Sequence, residues 1–277
     1  MSFGKIVFPI ERCETPLTDI GANLTHESFA SDFDQVLDRA AQANVQHMIV
    51  TGSDISDSKQ AITIAEQYPQ FFSTTAGIHP HHADQFDHTT VEKLTSLLQH
   101  EKTVAVGETG LDFFRDISPR ESQIKSFQAH IDLAIQLDMP MFLHQREAHD
   151  TFLSILSESR GALGDVVVHC FTDTAEALND YLELDCYIGI TGWICDERRG
   201  AHLLDCVGSI PLNRLMIETD APYLMPRNLR PKPKTRRNEP AALPVVLEKI
   251  ASVRPESIAE IAAATTDNAR RFFSLPQ

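Results

Sequence analysis

Val104-Ala105-Val106, a short β-branched run, is followed two residues later by Glu108. Met141-Phe142-Leu143 runs into His144 in the same way, Val166-Val167-Val168 into His169, and Leu215-Met216-Ile217 into Glu218 and Asp220. Phe71 to Ala76 leads similarly to His79 and His81. Apolar runs of this length read as buried strands, and each of these delivers an acid or an imidazole at its C-terminal end.

Eight such runs can be counted: Leu17–Asp19, Val45–Thr51, Phe71–Ala76, Thr103–Val106, Pro140–Leu143, Val166–Val168, Tyr187–Ile190 and Leu215–Ile217. Helical periodicity lies between them. Phe33, Val36, Leu37, Ala40 and Ala41 follow the spacing that puts one apolar stripe on a helix. Ser118-Pro119-Arg120-Glu121 offers a cap, a first-turn proline and a reciprocal glutamate ahead of Ile124, Phe127, Ile131 and Ile135, and Thr89 with Glu92 repeats the capping pattern ahead of Leu94, Leu97 and Leu98. Parallel strands need crossover helices and cover on both faces, so eight strand–helix units predict a (β/α)8 TIM barrel. The rival is an open doubly wound sheet, but no G-x-G-x-x-G or G-x-x-x-x-G-K-[ST] turn follows any strand.

The chain has 277 residues, 42% hydrophobic and 23% charged, enough to bury one large core. No repeat, low-complexity tract or linker marks a second domain, so 1–277 reads as one barrel domain with a short N-terminal extension over 1–16. Lysine and arginine total 24 against 39 acids, a net charge of -15. That excludes a partner that reads a broad basic surface, and a polyanionic substrate would need local help. Cysteines 13, 170, 186, 195 and 206 make no C-x-x-C pair and are odd in number, which predicts reduced cytoplasmic thiols rather than a disulfide framework. The apolar patch from Ile6 to Ile10, broken by Pro9 and flanked by Lys5 and Glu11, fails as a signal peptide. No run approaches the roughly 18 apolar residues of a membrane helix, and no obligate protein partner is indicated.

In a barrel, strand C-termini share one mouth. Glu108, His144, His169 and Asp220 would meet there, and mixed nitrogen and carboxylate donors suit Mg2+, Mn2+, Fe or Zn2+. Taken singly, each histidine could be a hydrogen-bonded strand end, Glu108 a salt-bridged carboxylate, and Asp220 a support for the turn before Pro222. Together they predict a divalent-metal site. His79 or His81 could contact an anionic substrate or orient a water. Arg227, Arg230, Lys232, Lys234, Arg236 and Arg237 place six cations and no anion in eleven residues just after the last strand. Phosphate clamping, with Arg227 and Arg237 foremost, competes there with a solvated loop pairing with the acidic surface. Trp193 could stack on a base or pack under a loop, and Arg146 could touch phosphate or neutralise nearby acids.

Asp19-Ile20-Gly21-Ala22-Asn23-Leu24, Gly77-Ile78-His79-Pro80-His81, Gly107 to Asp112, His169-Cys170-Phe171-Thr172 and Glu218 to Tyr223 resemble the signature blocks of the TatD-type deoxyribonucleases. The resemblance runs from about Leu17 to the C-terminus. Ile190 to Arg199 and Arg236-Arg237-Asn238-Glu239-Pro240 resemble the subgroup after which that family is named. The resemblance implies an amidohydrolase-like barrel that hydrolyses DNA phosphodiesters as a 3'-5' exonuclease, preferring single strands and extending to RNA. It implies Glu108, His144 and His169 as ligands of Mg2+, with Mn2+ or Zn2+ as alternatives, and Asp220 as ligand and acceptor of the proton from a metal-activated water. Many relatives begin with a His-x-His pair where this chain has Gly21 and Asn23, so one firm metal site is expected, with any second ion weak or brought by substrate. The alternatives are a metallohydrolase of the same fold that cuts an amide or aminoacyl ester, and a non-catalytic metal-binding scaffold.

Overall fold

The computed structural model describes residues 8–275. Part of the N-terminal apolar patch, Ile6 and Val7, and the first seven residues of the expected extension lie outside the described residues. Eight parallel strands form one sheet: β1 (Leu17–Ala22), β2 (Val45–Val50), β3 (Phe72–Ala76), β4 (Thr103–Asp112), β5 (Met141–Arg146), β6 (Val166–Val168), β7 (Tyr187–Ile190) and β8 (Leu215–Ile217). Each pairs with the next in chain order. A parallel bridge from Ala22 to Ala221, with Asp220 N donating to Gly21 O at 2.8 Å and Asn23 N to Ala221 O at 2.7 Å, joins the last strand's exit to the first. The barrel therefore closes at its C-terminal mouth.

Helices α1 (Phe33–Gln42), α2 (Ile55–Gln67), α3 (His88–Leu98), α4 (Arg120–Leu137), α5 (His149–Ser159), α6 (Ala175–Glu183) and α7 (Ala201–Val207) alternate with the strands, and α8 (Leu243–Ala251) and α9 (Ile258–Phe272) follow β8. Among the described residues no helix is long and apolar enough to cross a membrane. The outward strand faces and the helices share the main core. A smaller core fills the barrel with Ile20, Ile49, Ala105, Phe142, Val167, Tyr187 and Met216, closed by Phe272 and Phe273 at the end of α9. Side chains on a strand alternate, so a step of two from Phe142, Val167 and Met216 aims His144, His169 and Glu218 up the same interior.

Two capping expectations change. Asp87, not Thr89, caps α3, and its carboxylate accepts from Thr89 N and Thr90 N while Thr90 closes the capping box. An ionised side chain two residues earlier offers the stronger acceptor. Ser118 does not cap α4; its hydroxyl donates to His81 O at 2.9 Å and ties the 80–85 turn to the helix start.

The larger surprise is β4, which runs six residues beyond the expected Val106. Between Val106 and Thr109 three residues of β4 face two of β5, since Val106 pairs with Met141 and Thr109 with Leu143. This extra residue reverses the in–out alternation. Ala105 faces the barrel interior, and after the bulge it is Glu108, Gly110 and Asp112 that share the inward parity. Gly107 sits at φ +144°, and any Cβ there would strike the Phe142 carbonyl oxygen. Only glycine permits the irregularity that turns Glu108 inward.

Candidate metal centre

Glu108 Oε1 gathers three imidazoles. His144 Nδ1 lies 2.9 Å away, His169 Nε2 2.8 Å and His79 Nε2 3.3 Å. His144 and His169 come from the ends of β5 and β6, and His79 from the turn after β3. That turn is held by His79 N donating to Ser53 O at 2.8 Å and His79 Nδ1 accepting from His81 N at 3.0 Å. The Nδ1 acceptor role leaves Nε2 to face Glu108.

The surrounding acids complete the set. Asp112 Oδ2 lies 2.8 Å from His81 Nε2 and 3.6 Å from His144 Nε2. Glu218, with no exposed surface, accepts from Cys170 N and stands 3.2 Å from His169 Nδ1. Asp220 follows at φ +52°, one carboxylate oxygen accepting from Asn23 Nδ2 at 2.9 Å. Asp19 is buried beneath it, accepting from Thr219 N and Thr219 Oγ1 and so pinning the chain that presents Asp220.

Charge is concentrated here on largely buried side chains. Burial alone would raise the Glu108 carboxyl, but the imidazoles of His79 and His169 and the hydrogen bonds of His144 and His169 overcome it and hold it well below the carboxylate range. Burial opposes a charge on His169, yet Glu108 and Glu218 drive its pKa well above that of free imidazole. His79 goes the other way, down to about 4, because desolvation outweighs its attraction to Glu108. Asp220 is pushed up to about 7 by burial, with Glu108 and Glu218 adding to the effect and His169 opposing it.

This donor set fits a divalent cation. One atom each from His79, Glu108 and His144 lies within 4.8 Å of the others. His144 Nε2 is buried without a hydrogen-bond partner, an atom that normally finds one. The second nitrogen of His169 rests on the Glu218 carboxylate, which fixes the orientation of the imidazole that braces Glu108.

Set against the expectation, Glu108 and His144 belong to this cluster and His169 binds the same Glu108 oxygen, while Asp220 stands on the wall of the shared cavity rather than among the three. His79, expected to contact substrate or water, stands in the cluster, and His81 lines the same cavity with Asp112 behind it. The cavity measures about 850 Å3. Arg146 and Trp193 line it, the guanidinium lying 4.1 Å from the Phe114 ring centroid and 5.8 Å from that of Trp193. Phe114 and Tyr223 on the same rim are half exposed.

Two expected cations are elsewhere. Arg237 is buried in an ionic cluster, donating to Asp32, Glu239 and Ser28 O, while Arg39 pairs with the same two acids. Its guanidinium ties the end of the loop to the start of α1, and Arg237 is not among the residues that line the cavity. Arg227 pairs with Asp196 at 3.0 Å and lines a neighbouring cavity, not this one. Sequence reasoning missed Asp112 and Arg236. Asp112 had a signal, because a period of two counted from Glu108 returns to position 112; Arg236 was one cation in a run with nothing to single it out.

The model of the family described as TatD related DNase matches residues 18–274. A protein of Erwinia tasmaniensis named 3'-5' ssDNA/RNA exonuclease TatD is 47% identical over 257 residues, 93% of this chain and 99% of that one. Its namesake from Erwinia billingiae is 46% identical over 258 residues, again 93% and 99%. Among solved structures, YJJV, the TatD homologue of Escherichia coli K12, superposes with a TM-score of 0.86 at 29% identity, covering 94% of this chain and 98% of that one. The lactonase Lmo2620 of Listeria monocytogenes, at 12% identity and a TM-score of 0.60, shares the barrel alone. Extent of match, likeness in fold and the acid–imidazole cluster at the barrel mouth agree, and this chain belongs to the TatD related DNase family.

Proposed function

We propose that this protein is a metal-dependent 3'-5' exonuclease acting on single-stranded DNA and on RNA, with Mg2+ as its working ion and the cytoplasm as its compartment. The observation that carries the reading is the convergence of three imidazoles on one Glu108 oxygen in a cavity whose rim carries a guanidinium between two aromatic rings. Relatives named as exonucleases, matched over nearly their whole length, support the polarity and the substrates.

His79, Glu108 and His144 would hold the ion, with His169 bracing Glu108. Such an ion, when bound, supplies Lewis acidity to a non-bridging oxygen and lowers the pKa of water. Asp220 accepts the proton of the attacking water. Asn23 occupies one of its carboxylate oxygens, and the other carries no protein hydrogen bond among the described residues. His81, fixed through Nε2 by Asp112, directs its remaining nitrogen to a phosphate oxygen. Arg146 balances phosphate charge while Phe114 and Trp193 offer π-faces to unstacked bases, which a duplex cannot present.

The test is a panel of 3'-labelled and 5'-labelled oligonucleotides, single-stranded and duplex, with Mg2+, with Mn2+ and with chelator, beside amide and aminoacyl-ester substrates. The reading expects stepwise loss from the 3' end of single strands, abolished by chelator. Intact DNA under every metal, with turnover of an amide or ester, overturns it.

A further inference from the structure

Beside the metal cavity, and sharing Arg199, Leu224 and Arg236 with it, lies a second cavity of about 690 Å3. Its walls are residues 195–199, just after β7, and residues 224–236 of the long loop after β8. Six cations line it: Arg198, Arg199, Arg227, Arg230, Lys232 and Arg236. Two acids oppose them, Asp196 and Glu197.

The pairing within this cavity is uneven. Buried Asp196 takes both Arg199 and Arg227, each at 3.0 Å. Arg198, Arg230, Lys232 and Arg236 are exposed and form no ion pair among the described residues. A chain with net charge -15 has acids to spare, and four free cations gathered in one concavity run against that surplus. Concave walls of one sign focus the field and raise the local concentration of an anion.

The walls are also fixed in advance. Residues 222–239 contain no helix or strand, yet Leu229 and Asn238 are buried, Arg230 donates to Arg227 O and Leu229 O, and Arg237 locks the far end to Asp32. Gly192 packs so closely on Leu224 O and Pro226 that it admits no side chain. A long loop held this firmly is a binding surface more often than a linker.

We infer that this cavity is a second subsite, taking the phosphodiesters of a single-stranded nucleic acid several nucleotides upstream of the bond positioned at Glu108. The inference rests on the nuclease reading and adds where the rest of the strand goes. The terminal phosphodiester enters the metal cavity, the chain crosses the shared wall at Arg199 and Arg236, and the next phosphates meet Arg230, Lys232 and Arg198. A mononucleotide or dinucleotide fills only the first cavity. Length of substrate therefore governs affinity, and chemistry at the metal centre does not depend on it.

Fluorescence anisotropy of a labelled single-stranded 12-mer, measured in chelator so that no cleavage occurs, tests this on the intact protein. Each single-strand phosphate contact contributes a slope of about 0.7 in log K against log salt. The double variant Arg230→Gln and Lys232→Gln is expected to bind the 12-mer about 5- to 20-fold more weakly, with the slope reduced by about 1.4, and Arg230→Lys is expected to bind like the parent. Unchanged affinity and slope in the double variant overturn the subsite. Hydrolysis of a dinucleotide with added Mg2+ separates this from the parent reading. Equal dinucleotide turnover in both proteins, with a raised KM for the 12-mer only, supports the subsite; a dinucleotide that no metal allows to be cut counts against the nuclease assignment whatever the anisotropy shows.

Discussion

Gly21 is packed against the carboxylate of Glu218 so tightly that a Cβ at position 21 would strike Glu218 Oε2 and come within 3.1 Å of the Phe142 ring. Position 21 is where many family members are expected to carry the first histidine of a His-x-His pair. Here the buried Glu218 side chain fills that volume and spends its charge on His169 and Cys170 N. Gly21→Ala should therefore destabilise the protein by about 1–3 kcal/mol, the ordinary cost of overpacking a core. Chemical denaturation measures it. Gly21→His should leave the Mn2+ stoichiometry at one by titration calorimetry; two bound ions would show that the lost imidazole alone limits the site.

Glu218→Gln preserves shape and removes the charge behind His169. Glu218 thereby supports the imidazole that braces Glu108, and outer partners of this kind typically matter 10- to 100-fold in metal affinity. The same range is expected in Mn2+ binding by calorimetry, with the melting temperature of the metal-free protein much less affected. An unchanged affinity would make Glu218 a packing residue.

Asp220→Asn removes the proton acceptor but keeps an oxygen for Asn23. General-base catalysis contributes about 10²- to 10⁴-fold. A fall of that size in kcat, with 12-mer binding in chelator changed less than about threefold, is the expected result. Loss of binding without loss of kcat would move Asp220 out of the chemistry.

Arg237 separates an anchor from a substrate contact. Removing one partner from a buried ion pair costs about 3–5 kcal/mol because the remaining acids lose their counter-charge. Arg237→Ala should lower stability by that amount, and KM for a dinucleotide should stay as it was in the folded fraction. A stable variant with a raised KM would restore the original expectation of a phosphate contact.

His130 has no exposed surface, its Nε2 accepts from Ile78 N and its Nδ1 faces Ser126 O, and burial lowers its pKa from 6.5 to about 4. A depressed folded pKa means that the unfolded chain binds the proton first as pH falls. The stabilisation is complete above pH 6.5 and is lost on descending toward pH 4. Between pH 7.5 and 4.5 the protein should lose about 2–3 kcal/mol more than His130→Gln does. Taking the difference between the two proteins cancels the imidazoles around Glu108, of which His79 shifts down like His130 and His144 and His169 shift up.

The barrel was legible because short β-branched runs ending on acids and imidazoles encode both a buried strand and its functional end. Glu108, His144 and His169 were readable for the same reason. Asp112 kept a period of two from Glu108, but the bulge at Gly107 puts both out of phase with the apolar run before it. The place of His79 depends on the turn after β3, whose conformation comes from Ser53 and His81 rather than from any periodicity. The cations near the C-terminus could be counted but not sorted. Which of them are free depends on Asp32 and Asp196, and Asp32 lies 205 residues from Arg237 in sequence.

The central claim is that these residues surround one cation. Anomalous scattering from a crystal soaked in Mn2+ addresses it directly. The account predicts a single strong peak about 2.0–2.3 Å from donor atoms of His79, Glu108 and His144. A peak elsewhere, or none in that cavity while other surface carboxylates take up manganese, would contradict it.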